Sequence, residues 1–170
     1  MEITTQLIKE LREKCGAGVM DCRGALVATE GDVEKALTML KEKGLVKAQK
    51  KAERTTMQGL VESYIHTAGR IGALVEINCE TDFVARTDDF KCLAHDIAMQ
   101  VAALGAKYIS EEDKPATDDS PPVEVCLLSQ PFIKDPTKSI KDLVVETITK
   151  TGENIKVRRF TRYELGIQEG

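Results

Sequence analysis

Few residues in this chain have the types or spacing to carry covalent chemistry. The only histidines are His66 and His95, and five cysteines stand at positions 15, 22, 79, 92 and 126. Cys92 and His95 are three residues apart, so on a helix a thiol and an imidazole share one face, the minimum for a nucleophile and its base. The plainer reading, a small helix residue beside a partly exposed histidine, is preferred. No Gly-rich phosphate loop, GxSxG or HExxH motif occurs. Acidic residues are plentiful, but none falls in a metal-ligand spacing. The odd set of cysteines, without paired short spacing, points to reduced thiols rather than a disulfide frame or a zinc site. The expectation is a protein that is not an enzyme and has no catalytic residue, metal or cofactor.

Two stretches suit binding instead. "VRRFTR" (157–162) alternates arginine with an aromatic, as an RNA-binding strand does. One aromatic is a thin stacking platform, so cross-strand packing by Phe160 is preferred and no direct nucleic-acid partner is expected. "CETDFVART" (Cys79–Thr87) puts Asp82 and Phe83 side by side at a turn. Either Thr81 or Asp82 caps a short turn and Phe83 staples it to the helix of Phe90, or the pair is a probe for another molecule.

The elements that must hold these residues can be read from periodicity. Ile3, Leu7, Ile8 and Leu11 share a helical face that "GAG" (16–18) ends. A second helix starts near Met20–Asp21 and carries Cys22, Ala25 and Leu26. Asp32 caps a third, with Val33, Ala36, Leu37 and Leu40 on one face and Gly44 as its end. Residues 1–44 thus read as a helical mini-bundle and 45–56 as a polar linker helix. From Lys41 to Arg54 there are six basic and two acidic residues, which reads as a solvated face.

Residues 57–66 and 71–80 read as strands joined by "TAGR" in an antiparallel hairpin, with Ile71, Ala73, Val75, Ile77 and Cys79 facing the core. Phe90, Leu93, Ala94, Ile97, Val101 and Leu104 define the strongest helix, capped by Asp88 or Asp89 and ended by Gly105. "KYIS" (107–110) suggests a short strand, and 111–122 an acidic, Pro-rich loop or tether. An apolar segment over 123–133 is interrupted by Pro131. A helix from Ser139 to Thr151 has Ser139 and Asp142 as a capping pair. Residues 154–166 alternate like a strand. The fold class is α+β, a helical module followed over 57–170 by an antiparallel sheet packed on helices.

Composition agrees with a globular chain. Of 170 residues, 42% are hydrophobic, 31% charged and only 4% aromatic, and the net charge is −4. So few aromatics argue against a large aromatic-lined cofactor pocket, and the negative balance argues against whole-surface nucleic-acid binding. No apolar run reaches the length of a membrane span and "MEITTQLIKELREK" lacks a signal-peptide pattern, so a cytoplasmic protein, or one of an organellar matrix or stroma, is expected.

Four blocks, "GAGVMDCRGAL" (16–26), "CETDFVAR" (79–86), "CLLSQPFIKDP" (126–136) and "TGENIKVRRFTRYELG" (151–166), resemble in order the bacterial-type elongation factor Ts family. The resemblance implies a guanine-nucleotide exchange factor for elongation factor Tu, a GTPase, and a ubiquitin-associated-like N-terminal bundle that docks on its nucleotide-binding domain through Val19 and Met20. Val19 departs from the Met-Met pair of some members. The resemblance makes Thr81, Asp82, Phe83 and Val84 the motif that disturbs the partner's magnesium and phosphate site. It also implies the family's short form, with a reduced interval at 111–125 and a homodimer completing the core. The alternative reading is an adaptor that binds a partner through its bundle while the rest dimerises.

Overall fold

The first helix starts where the sequence offers a cap. In a computed structural model, which describes residues 3–166, Thr4 accepts a hydrogen bond from the Leu7 amide at 3.2 Å and opens α1 (Thr5–Cys15). The chain forms two compact units, one comprising the residues up to Arg54 with Val145–Asn154, the other Thr55–Val144 with the residues from Ile155 onward.

In the first unit, α1 is followed by α2 (Val19–Ala28) and α3 (Val33–Lys51). Their apolar faces meet in a core of Leu11, Cys22, Ala25, Leu26, Ala36 and Leu40. Asp32 caps α3 as expected, accepting from the Lys35 amide at 3.0 Å. The expected helix end at Gly44 is corrected: α3 runs unbroken for 19 residues through it. Gly44 is buried, and a Cβ there would lie 3.2 Å from Thr149 Oγ1 and 3.4 Å from Val145 Cγ1. Close packing, not a change of backbone direction, accounts for the missing side chain, and outweighs the ~1 kcal/mol that glycine costs inside a helix. Residues 45–51 are therefore a continuation of α3 rather than a separate helix.

The second unit is built on β1 (Gln58–Ile65) and β2 (Ile71–Cys79), an antiparallel hairpin with Leu60 opposite Ile77 and Tyr64 opposite Ala73. A short α4 (Asp82–Ala85) leads into α5 (Asp88–Leu104). The chain then passes through α6 (Pro122–Val125), a two-residue β3 (Pro131–Phe132), β4 (Asp135–Ser139) and α7 (Ile140–Thr151) to β5 (Ile155–Glu164). The main sheet has the order β1-β2-β5 and is antiparallel throughout, with a bulge between Glu76 and Ile77. Seven α-helices are present among the described residues.

Alternation in β2 sends Ala73, Val75, Ile77 and Cys79 inward, where α5 covers that face with Phe90, Leu93, Ala94, Ile97 and Val101. Each large apolar side chain so buried contributes roughly 1.5–3 kcal/mol. Two expectations need correction here. Thr87, not Asp88 or Asp89, caps α5, accepting from the Phe90 amide at 3.3 Å. "KYIS" forms no strand but a single parallel bridge, Tyr108 to Cys126. The segment 123–133 forms α6, a 3₁₀ turn at Leu127–Ser129 and β3, which pairs with the polar β4. Pro131 has no amide hydrogen to continue a ladder, which keeps that strand short.

A buried amide holds this irregular segment. Gln100, fully inside α5, donates to Gln130 Oε1 at 3.3 Å and to the Pro131 carbonyl at 3.0 Å, and accepts from the Ile133 amide at 3.0 Å. The capping pair of α7 is present in both directions: Ser139 Oγ accepts from the Asp142 amide at 3.1 Å, and Asp142 Oδ2 accepts from the Ser139 amide at 2.8 Å. The acidic loop is stitched by turns. Ser120 donates to Asp118 at 2.9 Å, and contacts from Ser120 and then Tyr108 hold the Asp118 carboxyl down at about 2.

Candidate functional site

The corner after β2 is rigid at its base and open at its tip. Thr81 is the cap of α4, its hydroxyl accepting from the Val84 amide at 3.4 Å. The Cys79 thiol donates to the Thr81 carbonyl at 3.1 Å. Thr87 couples α4 to α5, because one hydroxyl donates to the Val84 carbonyl at 2.7 Å and accepts from Phe90. Val84 and Ala85 are buried. The Thr81 and Val84 carbonyls and the Val84 amide are thus tied to a strand end or a helix start.

Asp82 and Phe83 lie on the outside of this base. Phe83 is 78% exposed. Of the two readings, stapling to the helix of Phe90 is not what the ring does: that far in solvent it holds nothing together. Between the two capping residues considered, the cap is Thr81, which leaves the Asp82 carboxylate free to point outward. There it pairs with Arg86, one helical turn on, at 2.8 Å. The sequence reading did not assign Arg86; the i, i+4 spacing of aspartate and arginine was the signal for it. Thr81 and Val84 form the base of the corner, and Asp82 and Phe83 its outward face.

The second candidate surface is in the helical unit. Val19 and Met20 occupy the first turn of α2 and are 50% and 73% exposed. No side chain caps this helix; Gly18 precedes it. Asp21 pairs with Lys47 of α3 at 2.9 Å, which fixes the turn that carries the two apolar side chains.

The other candidates resolve differently. His95 Nδ1 faces Glu62 Oε1 at 3.1 Å, and its ring meets Tyr64 edge-on. Cys92 is exposed on α5. No hydrogen bond joins the two, so the arrangement lacks the contact a thiol needs to be activated by an imidazole. In β5, Phe160 lies opposite Val75, Arg159 pairs with Glu76 at 2.7 Å, and Arg162 donates to the Ala102 carbonyl at 3.0 Å. Both arginines are engaged within the protein, and the Arg159 contact holds the Glu76 carboxyl below its usual range. No group of three or more metal-binding side chains occurs among the described residues, and none of the helices described is long and apolar enough to cross a membrane.

The class defined so far is an α+β module with an acid and a bare aromatic ring exposed on a capped strand–helix corner. The chain belongs to the elongation factor Ts family: the family model described as "Elongation factor TS" matches residues 26–118. It is 50% identical to "Elongation factor Ts" of Carboxydothermus hydrogenoformans over 96% of this chain and 89% of that relative. It is 50% identical to the protein of the same name from Syntrophomonas wolfei, over 96% and 91%. With that of Thermotoga petrophila the identity is 48% over 98% of both chains. These alignments extend over 194 positions, more than the 170 residues here, so the relatives carry residues that this chain lacks.

Proposed function

We propose that this chain is the guanine-nucleotide exchange factor of elongation factor Tu, and that the Asp82–Phe83 corner performs the exchange. Family membership supports the role, and the observation that carries the mechanism is the exposed ring on a hydrogen-bonded, buried base. An apolar probe does work only if it is driven into a partner from something that does not yield. Phe83 enters between helices of the GTPase beside its magnesium site. Asp82, steered by Arg86, meets the disturbed edge and disfavours the ion. Magnesium links the protein to the β-phosphate, so its loss loosens GDP. Thr81 and Val84 act by holding the corner in place. The factor supplies no covalent step. By linkage, whatever factor by which it weakens GDP, GDP weakens it in return, and entering nucleotide expels it.

The test is release of labelled GDP from elongation factor Tu. Substoichiometric factor should empty the whole GTPase pool. Binding without release would overturn the proposal in favour of an adaptor.

The helical unit is the docking arm in this scheme, a ubiquitin-associated-like bundle that offers Val19 and Met20 to the nucleotide-binding domain. An arm contributes affinity rather than displacement. Met20→Asp should therefore raise the factor concentration giving half-maximal exchange by about tenfold or more, the equivalent of losing one buried side chain, and leave the maximal rate unchanged. A fall in the maximal rate at saturating factor would refute this division of labour.

The α+β unit, 57–170 in the sequence reading, is the dimerising part in this proposal. Support comes from the sheet face turned away from α5. Val61, Ile65, Leu74, Tyr163 and Leu165 are all exposed there. Gly72 sits between Ile65 and Tyr163, opposite both in register. β1 and β5 are both edge strands, whose outer backbone groups also need partners. A second copy offers the same apolar face and closes the arrangement by twofold symmetry. Sedimentation should find a dimer at about ten micromolar, and Leu74→Glu, a charge at the centre of that face, should give a folded monomer. A wild-type monomer at that concentration removes the dimer from the scheme.

A further inference from the structure

The corner between α1 and α2 contains a pair of thiols that the exchange mechanism does not use. Cys15 is the last residue of α1, and Cys22 lies just past the first turn of α2. Their sulfurs are 3.9 Å apart. Cys15 is half-buried and Cys22 fully buried, and both are free thiols. We propose that Cys15 and Cys22 form an oxidation site at which a hydroperoxide makes an intramolecular disulfide across the α1–α2 corner.

The geometry suits the reaction and sets its order. A disulfide needs the sulfurs at about 2.05 Å, so they must approach by about 2 Å, a displacement that side-chain rotation at the end of a helix supplies. The Cys15 thiol donates to the Leu11 carbonyl at 3.0 Å, and that of Cys22 weakly to the Ala17 carbonyl at 3.7 Å. Neither bond survives closure, but the Leu11 carbonyl keeps the amide bond of the helix's last turn, and the contact to Ala17 is weak at 3.7 Å. Cys15 is the less buried of the two residues, so it reacts first: its sulfur attacks the O–O bond, giving the sulfenic acid and releasing an alcohol or water. Cys22 then attacks the sulfenic sulfur. The S–S bond forms, the S–O bond breaks, and the hydroxyl leaves with the Cys22 proton as water. The two thiols lose two electrons and the peroxide gains them.

Burial, and then the neighbouring Cys15, push the Cys22 thiol from 9.0 up to about 11. Cys22 is accordingly the resolving partner, mostly protonated at neutral pH, and closure should quicken as pH rises towards that value. Held within 4 Å of its target, it outcompetes any thiol arriving from solution. The disulfide would tie the end of α1 to the helix turn that carries Val19 and Met20.

The experiment treats the folded full chain, with Cys92→Ser to remove the exposed thiol, with hydrogen peroxide and maps its peptides by mass spectrometry without reduction. The expected product is a Cys15–Cys22 cross-link lighter by two hydrogens, forming at least about tenfold faster than sulfinic acid at either cysteine, and reversed by dithiothreitol. Cys15→Ser should abolish it. A parallel measurement needs no change to the pair. Phenylarsine oxide, which bridges two neighbouring thiols with loss of water, should bind the native protein once and block the peroxide product. Accumulation of Cys15 sulfinic acid without a cross-link would overturn the proposal. So would failure of the arsenical to bridge the pair.

Discussion

Phe83→Ala should slow catalysed GDP release from elongation factor Tu by about 10- to 100-fold while the factor melts as the wild type does. The range follows from the side chain. Inserting a phenyl ring into an apolar site is worth roughly 1.5–3 kcal/mol, and each 1.4 kcal/mol is a factor of ten. If the ring is the wedge, its insertion energy is spent on displacing the partner's packing, and removing it raises the barrier by about that much. Stability should not change, because 78% of the ring is already in water in the free protein. Asp82→Ala should slow release in the same direction. Its cost to the fold is limited to one exposed ion pair with Arg86, worth less than about 1 kcal/mol. Because both side chains act on one displacement, the double variant should lose less than the two single losses combined. The measurements are labelled-GDP release and thermal melting on the same preparations. Normal exchange by both single variants would return the corner to a merely structural role.

How far the sequence reveals this corner depends on which part is considered. The strand, the turn and the helix after it were legible because apolar residues recur at periods of two and of 3.6 over long runs. The choice between staple and probe was not. It turns on where one ring points, and "TDFV" permits either, since a threonine cap and an aspartate cap look alike in sequence. The fold adds that Thr81 takes the capping role and Val84 the buried one, leaving Asp82 and Phe83 outside.

The misreadings have a common source. Gly44 was read as a stop because glycine usually ends a helix. Its cause here is long-range, a side chain from some hundred residues later packed against the backbone. The apolar run over 123–133 is legible, but its path is set by the Gln100 amide, whose partners no local pattern predicts. Local rules found elements held by their own periodicity and missed those held by a distant residue.

The same distinction gives the largest expected effect on the fold. Gly59 is the second residue of β1, an unremarkable position in an alternating strand, yet it should tolerate no side chain. It sits opposite Asn78, three residues before Thr81. Its φ is +147°, and a Cβ there would fall 2.0 Å from the Ile77 carbonyl oxygen and 2.8 Å from the Asn78 Cα. Both obstacles are backbone, so no rotamer change relieves them, and the dihedral itself is one that side chains resist. Gly59→Val must therefore pull β1 away from β2 or move the residues leading into the corner. A cost beyond about 4 kcal/mol is expected, in the range reserved for named structural faults, which at ~2–4 °C per kcal/mol lowers the melting temperature by roughly 10 °C or more. Gln58→Lys, an exposed position at the start of the same strand and on its other face, should shift stability by no more than about 0.5 kcal/mol. Exchange by Gly59→Val should fail along with the fold, the reverse of the Phe83→Ala pattern, in which exchange fails alone. A Gly59→Val protein that melts like the wild type would mean that β1 can leave β2 at little cost, and the rigid base on which the wedge depends would go with it.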